Sequence, residues 1–409
     1  MIKKRLLIVF LCMLMIVAIV GCAAEDTAPV VKDKDKIVFG AARSQSGPLA
    51  IFDEVAFGPI YRMWVEEVNA RGGIYVEEYG KKLPVELLIY DDTSDIGTMT
   101  RLVERLIVED KVDFLLPPNS TAALFAVAPI AQEHGYLLMG AEGGCSSLKA
   151  AVASSPYFFS VLNHNTTQVP VLVDILVEGG VKTAAIIFIA DLHGIEYSGL
   201  AAPQLALAGI DVVFNKSVPP GITDLAPIIN EAKAENVDAF LAFVYPDEGF
   251  LALGQSMELG FFPDVFLLGP GANFNFFPGI FGPAAEGIMS WGAWNEKSSP
   301  EAAEFLELFL KYYGPGDIDW WGHLPYYASL QVLEQAIERA GTLDHSVLAE
   351  MIATEEFDTV LGKTWFEDGY LATECYEGQV GQWQNGVFEV IGPSDRATAS
   401  PVIPRPVGR

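Results

Sequence analysis

The residue types that can act on another molecule lie just past apolar runs. Ser120 and Thr121 follow the run 112–116 and open a helical stretch, 122–134. Hydroxyls and free N–H groups at a helix start hold anions such as carboxylates, and the same residues serve as ordinary helix caps. Glu142 and Gly143-Gly144 follow the next run, where glycine either permits close backbone approach or makes a turn. Phe52 and Tyr245 lie just past strand ends, placed to pack on an organic ligand, although single aromatics commonly belong to a core. Bond-making chemistry has a weaker basis. His134, His164, His193, His323 and His345 are scattered, and none shares a metal-ligand spacing with another histidine or a cysteine. Neither a G-x-S-x-G turn nor a G-x-x-x-x-G-K loop is present. Cys145 beside Gly144 would need a base in reach to act as a nucleophile, and nothing in the sequence places one. His193, two residues after Asp191, reads as a polar loop residue that lines the cleft at most. The segment Trp320-Trp321-Gly322-His323 either reaches the cleft or packs between helices. These residues predict non-covalent recognition, with no catalysis, no cofactor and no metal.

The apolar pattern shows what holds such residues together. A strand at 37–40 precedes Phe57, Ile60, Tyr61, Trp64, Val65 and Val68, spaced as one face of a helix, with Pro59 suited to its first turn and Gly72-Gly73 to its end. Strands follow at 84–90, 112–116 and 136–139, with helices between them. A second series has strands at 184–189, 211–214, 238–244 and 265–268, separated by helical stretches at 197–208, 224–234 and 248–259. Strand–helix alternation with continuously apolar strands predicts parallel sheets covered on both faces, hence two α/β lobes. The last third reads as helices at 300–313, 325–339 and 346–354, then strands around 363–366, 380–383 and 388–391, with Asn385-Gly386 as a hairpin turn. Ligands of open parallel sheets bind beyond the carboxyl ends of the strands, which for two lobes means the cleft between them.

The N-terminus gives a location. Lys3, Lys4 and Arg5 precede an apolar run of about 15 residues that ends at Gly21-Cys22. A spanning helix needs roughly 20 residues, so a cleaved leader is the better reading. Removing 1–21 leaves 388 residues, with 22 basic against 53 acidic, a formal charge of about −31. That surface repels phosphate backbones and disfavours nucleic acid as a partner. A chain of this length exceeds what one core usually supports, consistent with two lobes. Cys145 and Cys375 remain in the folded body, either paired or as two separate buried thiols.

Gly21-Cys22 resembles a bacterial lipobox, in which Cys22 carries lipid. The chain also resembles the extracellular solute-binding proteins of branched-chain amino-acid type ABC importers, the type I periplasmic-binding fold. The matching stretches are SGPLA at 46–50, EEVNARGGI at 66–74, Asp91-Asp92, NSTAALFAVAPIAQEHG at 119–135, FVYPDEG at 243–249, LLGPG at 267–271, AAEGIM at 284–289 and GQWQNGVFEVIGP at 381–393. They run in order over nearly the whole mature chain. The resemblance implies two Rossmann-like parallel-sheet lobes joined by three crossovers, near Phe159, Trp291 and Gln379. It implies a leader at 1–21, a tether at 22–36, lobe one from 37–159 with 292–379, lobe two from 160–291 with 380–402, and a tail at 403–409. It further implies a monomer outside the cytoplasmic membrane or in the periplasm that closes on a small organic solute and presents it to a membrane permease; the same closure would also suit a sensory module. Ser120, Thr121, Glu142 and Gly144 match positions that hold a ligand carboxylate, Tyr245 one that contacts the amine, and Phe52 one that lines the side-chain pocket. Two positions depart from that pattern. Gly271 stands where the family places an acidic partner for the ammonium, and Glu142 where a small neutral residue is usual. A carboxylate at 142 repels a ligand carboxylate unless it points away or is paired. Either Asp247 or Glu142 takes over the ammonium, or the ligand has none, as in an aromatic acid, an amide or urea.

Overall fold

A computed structural model describes residues 33–152, 155–292 and 294–406. The leader and Cys22 lie outside the described residues. No helix among the described residues is long and apolar enough to cross a membrane.

Two seven-stranded sheets organise the chain. In the first, Val85–Asp91, Ile37–Arg43, Phe114–Leu115, Leu138–Ala141 and Phe158–Ser160 lie side by side and parallel, and Tyr370–Leu371 and Phe366–Glu367 extend the edge. In the second, Asp211–Val218, Thr183–Ile189, Ala239–Phe243, Val265–Leu268 and Met289–Trp291 are parallel, and Val380–Gln384 with Val387–Gly392 close the edge as an antiparallel hairpin. The chain passes between the sheets after Ser160, after Trp291 and after Leu371. Ala239–Phe243 and Val265–Leu268 are buried at every residue, which is what a parallel strand covered on both faces requires. Asn385 (φ 52°) and Gly386 (φ 79°) both adopt the left-handed conformation of the hairpin turn that the dipeptide predicts.

Large rings fix the layers. Trp64 meets Phe39 edge-on at 5.1 Å beneath the first sheet, and Trp291 stacks on Phe243 at 5.8 Å and 4° in the second. Helices begin where short polar side chains accept from the first turn: Asp95 from the Thr98 N–H, Asp191 from Gly194 and Ser299 from Ala302.

Phe52 begins a helical segment, Phe52–Phe57, that runs directly into Gly58–Ala70. Pro59 has no N–H to bond the Val55 carbonyl, and the His323 Nε2–H donates to that carbonyl instead at 2.8 Å. The reading of His193 as a loop residue needs correction: it is buried in the first turn of Leu192–Leu207. Cys145 and Cys375, left open between a disulfide and two thiols, are both free and buried.

Candidate ligand-binding site

The carboxyl ends of the two sheets face each other across a narrow cavity of about 40 Å³. Lobe one contributes Phe52, Phe57, Ser120, Thr121, Glu142, Gly144 and Tyr326, and lobe two contributes His193, Tyr245, Pro270, Asn273 and Phe274. Asp319 and Trp321 enter from the segment that links the lobes. The walls meet directly. Phe52 lies edge-on to Tyr245 at 5.9 Å and to Phe274 at 6.5 Å. Beside the cavity, the Cys145 thiol donates to the Leu192 carbonyl at 3.6 Å, and the Ser147 N–H donates to Glu196 at 3.1 Å.

At the first wall, Ser120 caps helix Thr121–Glu133 by accepting from the Ala123 N–H at 3.4 Å. Its backbone sits at φ 79°, ψ 151°, a conformation that L-residues avoid. Such strain persists only where the surroundings over-determine it, as functional sites do.

Glu142 is paired. Arg43, at the end of the first strand, spans Glu142 with Nη1 and Nη2 at 3.3 and 3.2 Å and donates from Nε to Asp53 at 2.7 Å. Arg43 Nη1 also donates to the Pro117 carbonyl at 2.6 Å, and the Tyr61 hydroxyl donates to Glu142 at 2.6 Å. Burial pushes the Glu142 carboxyl up to about 8 against the pull of Arg43 and Tyr61.

In the second wall, the Tyr245 hydroxyl donates to Asp191 at 2.7 Å, leaving its oxygen to accept from a ligand. His193 stacks on Tyr245 at 5.4 Å and 20°. Its Nε2 is buried without a hydrogen-bond partner among the described residues. Burial pushes the imidazole down to about 4, so it is neutral at physiological pH. Asp319 accepts from Asn273 at 2.6 Å and from the Trp321 N–H at 2.8 Å. Burial nonetheless raises its carboxyl to about 6.

The structure thus brings Phe52, Ser120, Thr121, Glu142, Gly144 and Tyr245 to one cavity. It does not bring Asp247 or Gly271 there. Asp247 is an exposed residue in the first turn of Pro246–Leu259. Gly271 is buried at φ 120°, gives its N–H to Asn273, and faces Pro246 so closely that a Cβ would lie 2.9 Å away. An acidic residue therefore has no room at 271 in this backbone. Sequence reasoning named neither Arg43 nor Tyr326. Arg43 carried a signal, as a cation at the end of an otherwise apolar strand; Tyr326 carried none, since its helix offers rings on several faces.

The periplasmic binding protein family model matches residues 36–387. Leu/Ile/Val-binding protein homolog 7 of Brucella suis is 23% identical over 390 residues, covering 90% of this chain and 94% of the relative. Among solved structures, the leucine-binding protein LivK of Thermotoga maritima superposes with a TM-score of 0.74 at 22% identity, covering 88% of this chain and 99% of that one. A solute-binding protein of an ABC transporter from R. palustris, in complex with 4-hydroxybenzoate, reaches 0.72 at 22% identity, covering 87% and 95%. These proteins are binders by name, and the two solved ones share the two-sheet architecture built above. A match that spans most of the chain, on a scaffold whose two lobes enclose one cavity, places this protein in the periplasmic binding protein family.

Proposed function

We propose that the protein is the solute receptor of an ABC importer, exported and held to the membrane by lipid on Cys22. The observation that carries this reading is the cavity lined from both sheets, whose walls touch through Phe52, Tyr245 and Phe274. Solute bridges the lobes and favours the closed state, which the permease then receives. Ser120, Thr121 and the backbone at Gly144 hold the polar head, Tyr245 accepts from a donor on the solute, and Phe52 packs on its body. His193 joins them, because its buried Nε2 lacks a partner.

The solute is a small organic acid, an amino acid or an aromatic acid. Relatives and fold neighbours named for leucine and for 4-hydroxybenzoate bracket that range. The ring-rich lining favours the aromatic end, since Phe52, Phe57, Tyr245, Phe274, Trp321 and Tyr326 all border the cavity. Native mass spectrometry of protein purified without refolding, followed by calorimetry with branched-chain amino acids and hydroxybenzoates, tests the reading. One tight ligand that raises the melting temperature is expected; at a hundredfold excess over Kd the stabilisation is about 2.7 kcal/mol. Turnover of any such compound, or a solute bound elsewhere than this cavity, refutes it.

A further inference from the structure

One guanidinium behind the cavity wall serves two carboxylates. Arg43, Asp53, Tyr61 and Glu142 are all at most 4% exposed. With Arg43, Asp53 and Glu142 ionised and Tyr61 neutral, the cluster carries one uncompensated negative charge away from water, which is costly. The bond lengths are unequal. Arg43 Nε meets Asp53 at 2.7 Å, the range of a charge-assisted bond, whereas its contacts with Glu142 are 3.2 and 3.3 Å. Arg43 is thus bound more closely by Asp53 than by Glu142. Glu142 Oε1 accepts two donors, Tyr61 and Arg43 Nη1, and Oε2 accepts one, Arg43 Nη2. Oε2 is the oxygen with room for a proton.

Glu142 shares the cavity with Ser120 and Thr121 at a helix start, and no Lys or Arg among the described residues lines that cavity. We propose that a carboxylate-bearing solute is bound together with a proton on Glu142. This rests on the receptor reading above and narrows it to acids whose capture is proton-coupled. The proton comes from water and adds to Oε2, and no other bond is made or broken. The protonated cluster is neutral and no longer repels the incoming carboxylate, as an ionised Glu142 would. The groups around Glu142 come from every neighbouring element: Arg43 from the first strand, Asp53 from Phe52–Phe57, Tyr61 from Gly58–Ala70 and Tyr326 from His323–Ala340, with Asp319 and His193 in the same cavity. Asp319 lies in the same cavity, where its Oδ1 accepts from Asn273 and from the Trp321 N–H. The raised proton affinity of Glu142 agrees with the geometry.

The test is calorimetry on the full mature chain with leucine and 4-hydroxybenzoate between pH 6 and 9, in buffers of different ionisation enthalpy. A binding acid is expected to hold its Kd up to about pH 7, to weaken about tenfold by pH 9, and to take up close to one proton there. Glu142→Gln holds this position neutral at every pH, so whatever affinity the variant has should not weaken between pH 7 and 9. A Kd flat across the range, or a fall that persists in Glu142→Gln, overturns the coupling and leaves the receptor reading intact. If neither probe binds, it is the receptor reading for these solutes that fails. Carboxyl-carbon NMR of the free protein then decides the coupling alone: a titration near pH 8 that Glu142→Gln lacks supports it, and the absence of one overturns it.

Discussion

Ser120 pays in backbone strain for its place in the cavity wall. Holding a non-glycine residue at φ 79°, ψ 151° costs of order 1–3 kcal/mol, whereas replacing a serine cap by glycine costs only a few tenths. Ser120→Gly should therefore raise stability by about 1–2 kcal/mol in urea unfolding while weakening solute binding; a variant that binds unchanged would show that the hydroxyl takes no part. The buried carboxyls set a pH dependence on the same scale. Asp319 is raised from 3.8 to about 6 and Glu142 from 4.5 to about 8, so both hold protons more tightly folded than unfolded. Their stability contribution is fully present near pH 4 and is lost as pH rises through 6 and then 8. Solute-free protein should melt at a higher temperature at pH 5 than at pH 8.5, and Asp319→Asn should flatten the lower part of that slope. A melting temperature that climbs steadily from pH 5 to 8.5 would contradict the assignment. At this scale the sequence showed the hydroxyls and Glu142, but not the pairing of Glu142. Its partners Arg43 and Tyr61 are 99 and 81 positions away, and only the fold makes them neighbours.

Among the elements, the segment that links the lobes does more than connect them. Trp321 lines the cavity while its indole N–H donates to Asn163 at 2.5 Å, and Trp320 packs on Trp294 at 5.0 Å. Trp321 closes over Gly292, where φ is 90° and a Cβ would lie 2.2 Å from the ring. Gly292→Ala should cost more than about 1 kcal/mol through backbone strain, with further loss from displacing Trp321. The expected result is a lower melting temperature together with altered tryptophan fluorescence, and wild-type values of both would sink the argument. The sequence marked this tryptophan pair as unusual and left its destination open between cleft and packing. The structure divides the roles, one ring to each.

For the whole molecule, the proposed closure of the lobes is the property that matters, and glycine at 144 leaves room for it. Gly144 belongs to lobe one, and a Cβ there would lie 2.8 Å from the Tyr197 hydroxyl of lobe two. Overpacking of this kind costs about 1–3 kcal/mol, and here it would fall on the closed state alone. Gly144→Ala should weaken the Kd roughly 5- to 150-fold without changing the melting temperature of the solute-free protein. An equal loss of stability without solute would place the effect in one lobe instead. Cys145 gives a second readout, since it is fully buried and bonded to Leu192 across the lobes. Its alkylation should be slow and should slow further when solute is added.

Composition and periodicity by themselves determined two α/β lobes, because a parallel strand buried on both faces must be continuously apolar and its covering helices must recur at 3.6 residues. They also determined that any site lies past the strand ends, since topology alone puts the loops there. The tertiary structure decided which loop residues share one cavity. It excluded Asp247, which points from a first helical turn toward water, and Gly271, which Pro246 crowds. It admitted His193, Asp319, Trp321 and Tyr326. The reason is that burial, charge balance and closeness across hundreds of residues are properties of packing, and local sequence does not encode them.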